Sequence, residues 1–150
     1  MSIALSGNDT VIINGRSFVD FADGDFATLD FPDNIANMKT GKNGNTIVSL
    51  NTSGLQAKMV LRLLRGSPDD KYMNTLLTQQ RSNLSSFILM AGKFIKKIGD
   101  GAGNITSDTY ITGGGIFDKQ VGAKANAEGD TNQSVVEYAL SFSNAPRSLS

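Results

Sequence analysis

The stretch from Gln56 to Arg65 alternates. Ala57, Met59, Leu61 and Leu63 fall on one side of an extended chain, and Gln56, Lys58 and Arg62 fall on the other, with Val60 and Leu64 between them. Side chains of a β-strand point to opposite faces with period two, so this segment has one face to bury and one to leave in water. Ser134 to Phe142 repeats the pattern, with Val136, Tyr138, Leu140 and Phe142 set against Val135, Glu137, Ala139 and Ser141. Period two rather than 3.6 dominates the chain, which predicts a mainly β protein.

Other strands follow from turn chemistry. Thr10 to Asn14 ends in Asn14-Gly15, a hairpin dipeptide, and Arg16 to Phe21 is the expected return strand. Its residues Phe18 and Asp20 share one face, and Val19 and Phe21 the other. Ala22-Asp23-Gly24-Asp25 is a turn by composition, and Phe26 to Phe31 is a strand that stops at Pro32. Ile35 to Thr40 and Thr46 to Asn51 flank Gly41-Lys42-Asn43-Gly44-Asn45, a second Asn-Gly hairpin. Phe87 to Ile98 is strand-like, Asp100 to Asn104 is a turn, and Thr109 to Thr112 is a short strand broken by Gly113-Gly114-Gly115. Phe117 to Lys124 is expected to pair with a neighbour, Ala125 to Gln133 to form a loop, and Asn144 to Ser150 to fray.

One long helix is signalled. Ser67 suits the N-cap, Pro68 the first helical position, and Asp69 and Asp70 the positive end of the helix dipole. Tyr72, Met73, Leu76 and Leu77 then form an apolar stripe, and the helix should end near Ser82 or Asn83. About eight or nine short strands with one helix predict a β-sandwich or partly closed barrel.

The residue types narrow the chemistry. The chain has 150 residues and contains no Cys and no His. Its length fits one domain, residues 1–150. Without those side chains there is no Ser-His-Asp or Cys-His nucleophile, no thiolate or imidazole zinc site and no histidine switch. Lys+Arg and Asp+Glu are 14 each, so the formal charge is zero, which argues against a surface that grips nucleic acid or an anionic membrane throughout. The longest apolar run, Phe87 to Ala91, is far short of the roughly 20 residues of a membrane span. With no leader-like N-terminus, the expectation is a soluble protein made in the cytoplasm.

The remaining clusters read as ordinary surface. Asp20, Asp23, Asp25 and Asp30 could offer oxygen ligands to a cation, but they lack EF-hand spacing and suit a solvated turn. The glycines of 99–103 are not followed by Gly-Lys-Ser/Thr or a helix, so a hairpin loop fits better than a phosphate cradle. Lys93 falls on the opposite strand face from Lys96, and Asp100 is near in sequence, so Lys93, Lys96 and Lys97 suit a solvated strand end. Lys58, Arg62 and Arg65 with Glu137 suit cross-strand ion pairs, within a subunit or across an interface. No active site assembles from these residues.

An ordered series remains: Phe21-Ala22-Asp23-Gly24-Asp25, then Gly41-Lys42-Asn43-Gly44-Asn45, then Ala57 to Leu64, then Ser67-Pro68-Asp69-Asp70 leading into Asn74-Thr75-Leu76-Leu77. This series, over most of residues 10–80, resembles the inner tail tube proteins of bacteriophages with contractile tails. The resemblance implies a β-sandwich or barrel flanked by a helix. Six such subunits would form a ring whose strands join into one luminal β-barrel, and rings would stack into a tube inside a contractile sheath. The tube would be assembled in the host cytoplasm and reside in the virion tail.

The implied partners are further copies of the chain, the tail sheath protein, baseplate and tail-terminator proteins, and the tape-measure protein and double-stranded DNA passing through the lumen without sequence-specific binding. The resemblance implies no cofactor, metal, membrane anchor or catalytic residue. It places ring-stacking contacts on the hairpin at Lys42, Asn43 and Gly44. Lys58, Val60 and Arg62, with Val135 and Glu137, are candidates for a lumen-facing or inter-subunit surface. Alternatives of the same fold are a baseplate tube initiator and a type VI secretion-like tube protein. A carboxylate- or metal-dependent enzyme is the alternative from another class.

Overall fold

A computed structural model describes residues 3–5, 9–22, 25–123, 125, 127 and 134–150. In chain order the elements are β1 (Ala4–Leu5), β2 (Thr10–Ile13), β3 (Arg16–Ser17), β4 (Ala27–Asp30), β5 (Ala36–Thr40), β6 (Thr46–Leu50), β7 (Ala57–Leu64), the helix α1 (Pro68–Ser82), β8 (Met90–Gly99), β9 (Ile105–Phe117), β10 (Val135–Phe142) and β11 (Arg147–Leu149). The fold is mainly β with one long helix. A continuous path of paired strands runs β3-β2-β8-β9-β10-β7-β4, with β1 beside β8 and β11 beside β9; β5 and β6 pair only with each other. All the pairings are antiparallel.

The alternation read from sequence sets the core. Ala57, Met59, Leu61 and Leu63 of β7 and Val136, Tyr138, Leu140 and Phe142 of β10 are buried together. Val11 and Ile13 of β2, Met90 of β8 and Met73 and Leu77 of α1 belong to the same cluster. The two ends of the strand path therefore face one core, and α1 helps to cover it. Among the described residues no sheet closes into a barrel: β3 and β4 stand at open ends of the path.

The turn from one half of the path to the other is made inside β9. Residues Ile105 to Thr112 pair with β8, as does Gly115 opposite Met90, whereas Ile116 and Phe117 pair with β10. Between them lie Gly113-Gly114-Gly115. Gly114 has φ +64°, and a Cβ on Gly115 would collide with the Phe142 ring. A register shift in β8 between Met90 and Gly92 matches this corner. The glycine triplet is thus a bend within one 13-residue strand, not the strand break expected from sequence.

The helix matches its signals. The Ser67 hydroxyl accepts from the Asp70 amide, Pro68 opens the helix, and Asn83 caps its far end. Met73 and Leu77 are buried, with Tyr72 and Leu76 packed against the same core.

Other expectations are corrected. The return strand after Asn14-Gly15 lasts only through Ser17; the chain then crosses to β7, where Phe21 bridges Leu63 and the Leu64 amide donates to the Asp20 carbonyl. Phe18 turns into the core while Val19 faces solvent. The strand after residue 86 begins at Met90 rather than Phe87. Of the pairing expected of residues 117–124, the strand ends at Phe117 with one further bond from the Asp118 amide to the Ala139 carbonyl, and Lys124 lies outside the described residues. The end of the chain is not frayed: β11 pairs with Asp108, Thr109 and Tyr110, and Arg147 grips Asp108 through two hydrogen bonds of 2.7 and 2.9 Å.

Candidate functional site

The β5–β6 hairpin is an arm without a body beneath it. Every residue from 31 to 50 is exposed, and neither strand joins the main path. Each strand is five residues, about 17 Å long. The register pairs Ala36 with Leu50, Met38 with Val48 and Thr40 with Thr46 on one face. Asn37 with Ser49 and Lys39 with Ile47 occupy the other. The first face is apolar, with Met38 71%, Val48 62% and Leu50 66% exposed. An isolated two-stranded hairpin is marginal in water, so an arm like this gains from a surface to lie on. The tip is a tight turn: the Gly41 amide donates to Asn45 and the Gly44 amide to Gly41, with Gly44 at φ +81°. Lys42, Asn43 and Gly44 sit at this tip.

The arm is rigid at its root. Asn51 donates to the Ile35 carbonyl, and its side chain caps a short 3₁₀ turn, Thr52–Leu55. Buried Gly54 in that turn lies so close to the Asn34 carbonyl that a Cβ would overlap it. Only glycine fits there. Beside the root is a cleft of about 590 Å³ lined by Phe31, Asn34, Ile35, Leu55, Ala145 and Pro146 among others.

The charge distribution is polarised as well. Residues 35–51 contain Lys39 and Lys42 and no acid, a formal charge of +2. The whole chain is neutral, so the remainder carries −2.

A second surface is the outer face of β4, β7 and β10. The register sets Asp30, Lys58 and Ser141 in one row, Thr28, Val60 and Ala139 in the next, and Arg62 with Glu137 in a third. Lys58 is held by Asp118 at 3.3 Å and Ser141 at 3.1 Å. Arg62 pairs with Glu137 at 3.6 Å. Lys58, Arg62 and Glu137 therefore do share one face, as the alternation implied. The partner of Lys58 is Asp118, 60 residues away, which sequence spacing did not indicate. With each cation answered by an acid, this face offers little net attraction to phosphates.

Inside the fold, Asp69 is the main electrostatic clamp. It is 1% exposed and accepts from Arg16 at 3.0 Å, the Val19 amide at 2.8 Å and the Asp20 amide at 2.9 Å. Arg16 also lies over the Tyr72 ring. Burial acts to raise the Asp69 pKa, but the two amides and the guanidinium outweigh it and hold the carboxyl below its usual value. Tyr138 donates to Asp70 at 2.5 Å, and burial followed by this contact pushes its phenol well above the usual range. Sequence reading assigned Asp69 and Asp70 only to the helix dipole.

Among the described residues the acidic cluster does not assemble. Asp30 accepts from its neighbour Phe31, Asp20 faces the Asp69 amide, and Asp23 lies outside the described residues. Among the described residues no group of three His, Cys, Asp or Glu side chains comes together to hold a metal. Among the described residues no helix is long and apolar enough to cross a membrane. Asp100 accepts from Ala102 and Asn104, closing the β8–β9 turn. Lys96 pairs with Asp9 at 3.0 Å.

The sequence matches no protein-family model and no curated protein.

Proposed function

We propose that the chain is a structural subunit of an inner tail tube in a contractile-tailed phage, working by self-assembly and without catalysis. The observation that carries this reading is the β5–β6 arm: apolar on one face, charged +2, and attached to a body charged −2. An arm and a body of opposite charge favour contacts between different surfaces of identical copies. Such heterologous contacts close into rings or repeat as filaments. The open ends of the strand path at β3 and β4 support ring closure, since a neighbouring strand would satisfy their free backbone groups.

In this reading six subunits share strands around a lumen, and the arm tip at Lys42, Asn43 and Gly44 reaches the next ring. The face bearing Lys58, Arg62 and Glu137 turns to the lumen or to a neighbour. Its balanced charge suits DNA and a tape-measure protein that must slide, because each unpaired Lys–phosphate contact would add affinity. Sheath, baseplate and tail-terminator proteins are the outer and end partners. The test is negative-stain electron microscopy of the purified protein over a concentration series. Hollow tubes or six-fold rings are the expected result, and copy number per particle then separates a tube from an initiator. A protein that stays monomeric at high concentration, even with a baseplate nucleus, overturns the reading.

A further inference from the structure

The chain contains two Asn-Gly dipeptides, at 14–15 and 43–44. Both glycines have positive φ and open space where a Cβ would stand. The asparagines before them differ. Asn14 is anchored: its amide donates to the Ala91 carbonyl at 2.7 Å, and its side-chain oxygen accepts from the Ala91 amide at 3.1 Å. It is also the one non-glycine residue among those described with positive φ, at 52°. That holds its side chain across to β8 and away from the Gly15 nitrogen. Asn43 has no such anchor. Both dipeptides are exposed, but among the described residues no hydrogen bond holds the Asn43 side chain, and the Gly44 amide is engaged only by a 3.1 Å bond within the turn. The arm around it has no core to keep it closed.

We infer that Asn43-Gly44 is a site of spontaneous covalent modification, converting the Asn43 amide to a carboxylate while Asn14-Gly15 stays intact. The Gly44 backbone nitrogen attacks the Asn43 side-chain carbonyl carbon. A C–N bond forms, the side-chain nitrogen leaves as ammonia carrying the Gly44 amide proton, and a five-membered cyclic imide results. Water then opens either carbonyl of that ring, giving aspartate or isoaspartate. The net reaction consumes one water and releases one ammonia, with no oxidant or reductant. Glycine permits the attack because it has no Cβ to block the ring and can rotate freely. The product places a negative charge beside Lys42, and the isoaspartate form also adds a methylene to the backbone of a tight turn. If the tube reading holds, this ages the arm tip in unassembled subunits.

The test is independent of assembly. The native protein is held in mildly alkaline buffer, with a parallel sample in urea, and tryptic peptides 1–16 and 43–58 are mapped by mass spectrometry with fragment ions locating each converted residue. In the native sample Asn43 should convert at least about tenfold faster than Asn14, the ratio that about 1.4 kcal/mol of extra opening free energy gives. In urea the two should convert at similar rates. Asn43→Gln should remove the mass gain at that position. Equal native rates at the two sites, or an Asn43 that converts in urea but not in the native protein, would overturn the inference.

Discussion

β7 and the β5–β6 arm are built from similar material and meet opposite fates. Both mix apolar and polar residues with period two. In β7 the apolar side, Ala57, Met59, Leu61 and Leu63, is at most 1% exposed; in the arm, Ala36, Met38, Val48 and Leu50 share a face that is exposed. The two differ in their neighbours. β7 lies between β4 and β10, whereas the arm leaves the body at Ile35 and returns at Asn51. Burial is therefore set by topology and not by the local pattern. An amphipathic strand pair held out in water is the feature on which the proposed self-assembly rests.

The sharpest way to break this comparison is to place a charge on each region. Leu61→Asp puts a carboxylate on a residue with no exposure and should abolish folding, seen as loss of a cooperative thermal transition. Val48→Asp should melt within about 0.5 kcal/mol of the parent yet fail to form tubes. A soluble, cooperatively melting Leu61→Asp protein would show that the core is wrongly assigned.

Next in size is the Asp69 clamp. Asp69→Ala should cost about 3 kcal/mol, because it leaves the Arg16 charge and two amides without their acceptor. The carboxyl's pKa is lower in the folded state than in the unfolded one. Its contribution is therefore complete above the unfolded value, near 3.9, and is lost as pH falls through the folded value. Urea titrations should show wild type and Asp69→Ala well separated at neutral pH and converging in acid. A separation that does not change with pH would mean that the carboxylate charge is not what stabilises this contact.

Smaller still in stability is the arm tip. Lys42→Glu with Asn43→Pro should leave the melting curve within about 0.5 kcal/mol of wild type while weakening ring stacking. Normal-length tubes from this double variant would take the tip out of the stacking contact. The smallest effect expected is that of Glu137→Gln. Its partner Arg62 is 3.6 Å away and Glu137 is exposed, so folding should change by about 0–0.5 kcal/mol. A polyanion should bind this variant more tightly than wild type, measured as salt-dependent retention on immobilised DNA.

Local features of the fold were legible in the sequence, and long-range ones were not. The alternation in β7 and β10, the helix with its Ser67 cap, and the hairpin around Asn43-Gly44 all follow from neighbours in the chain. That the hairpin has no sheet beneath it does not, since periodicity reports which side is apolar and not what covers it. Gly113-Gly114-Gly115 read as a break because glycine marks turns; here it relieves the crowding of Phe142 at a corner within a strand. β11 is only three residues long, and its anchor, Arg147 on Asp108, spans 39 positions. For the candidate site, the shared face of Lys58, Arg62 and Glu137 was readable from alternation. Asp118, which answers Lys58, came from a segment read as a strand and has no local signal.

The position of β10 governs when the fold can form. It lies between β9 and β7, pairing with β7 along all eight of its residues. β7 and β9 are synthesised first, but the sheet stays divided until residue 142 has left the ribosome. Val136, Tyr138, Leu140 and Phe142 must then insert between surfaces already waiting for them. Folding of this chain therefore waits on pairings between residues far apart in sequence, and such pairings form slowly.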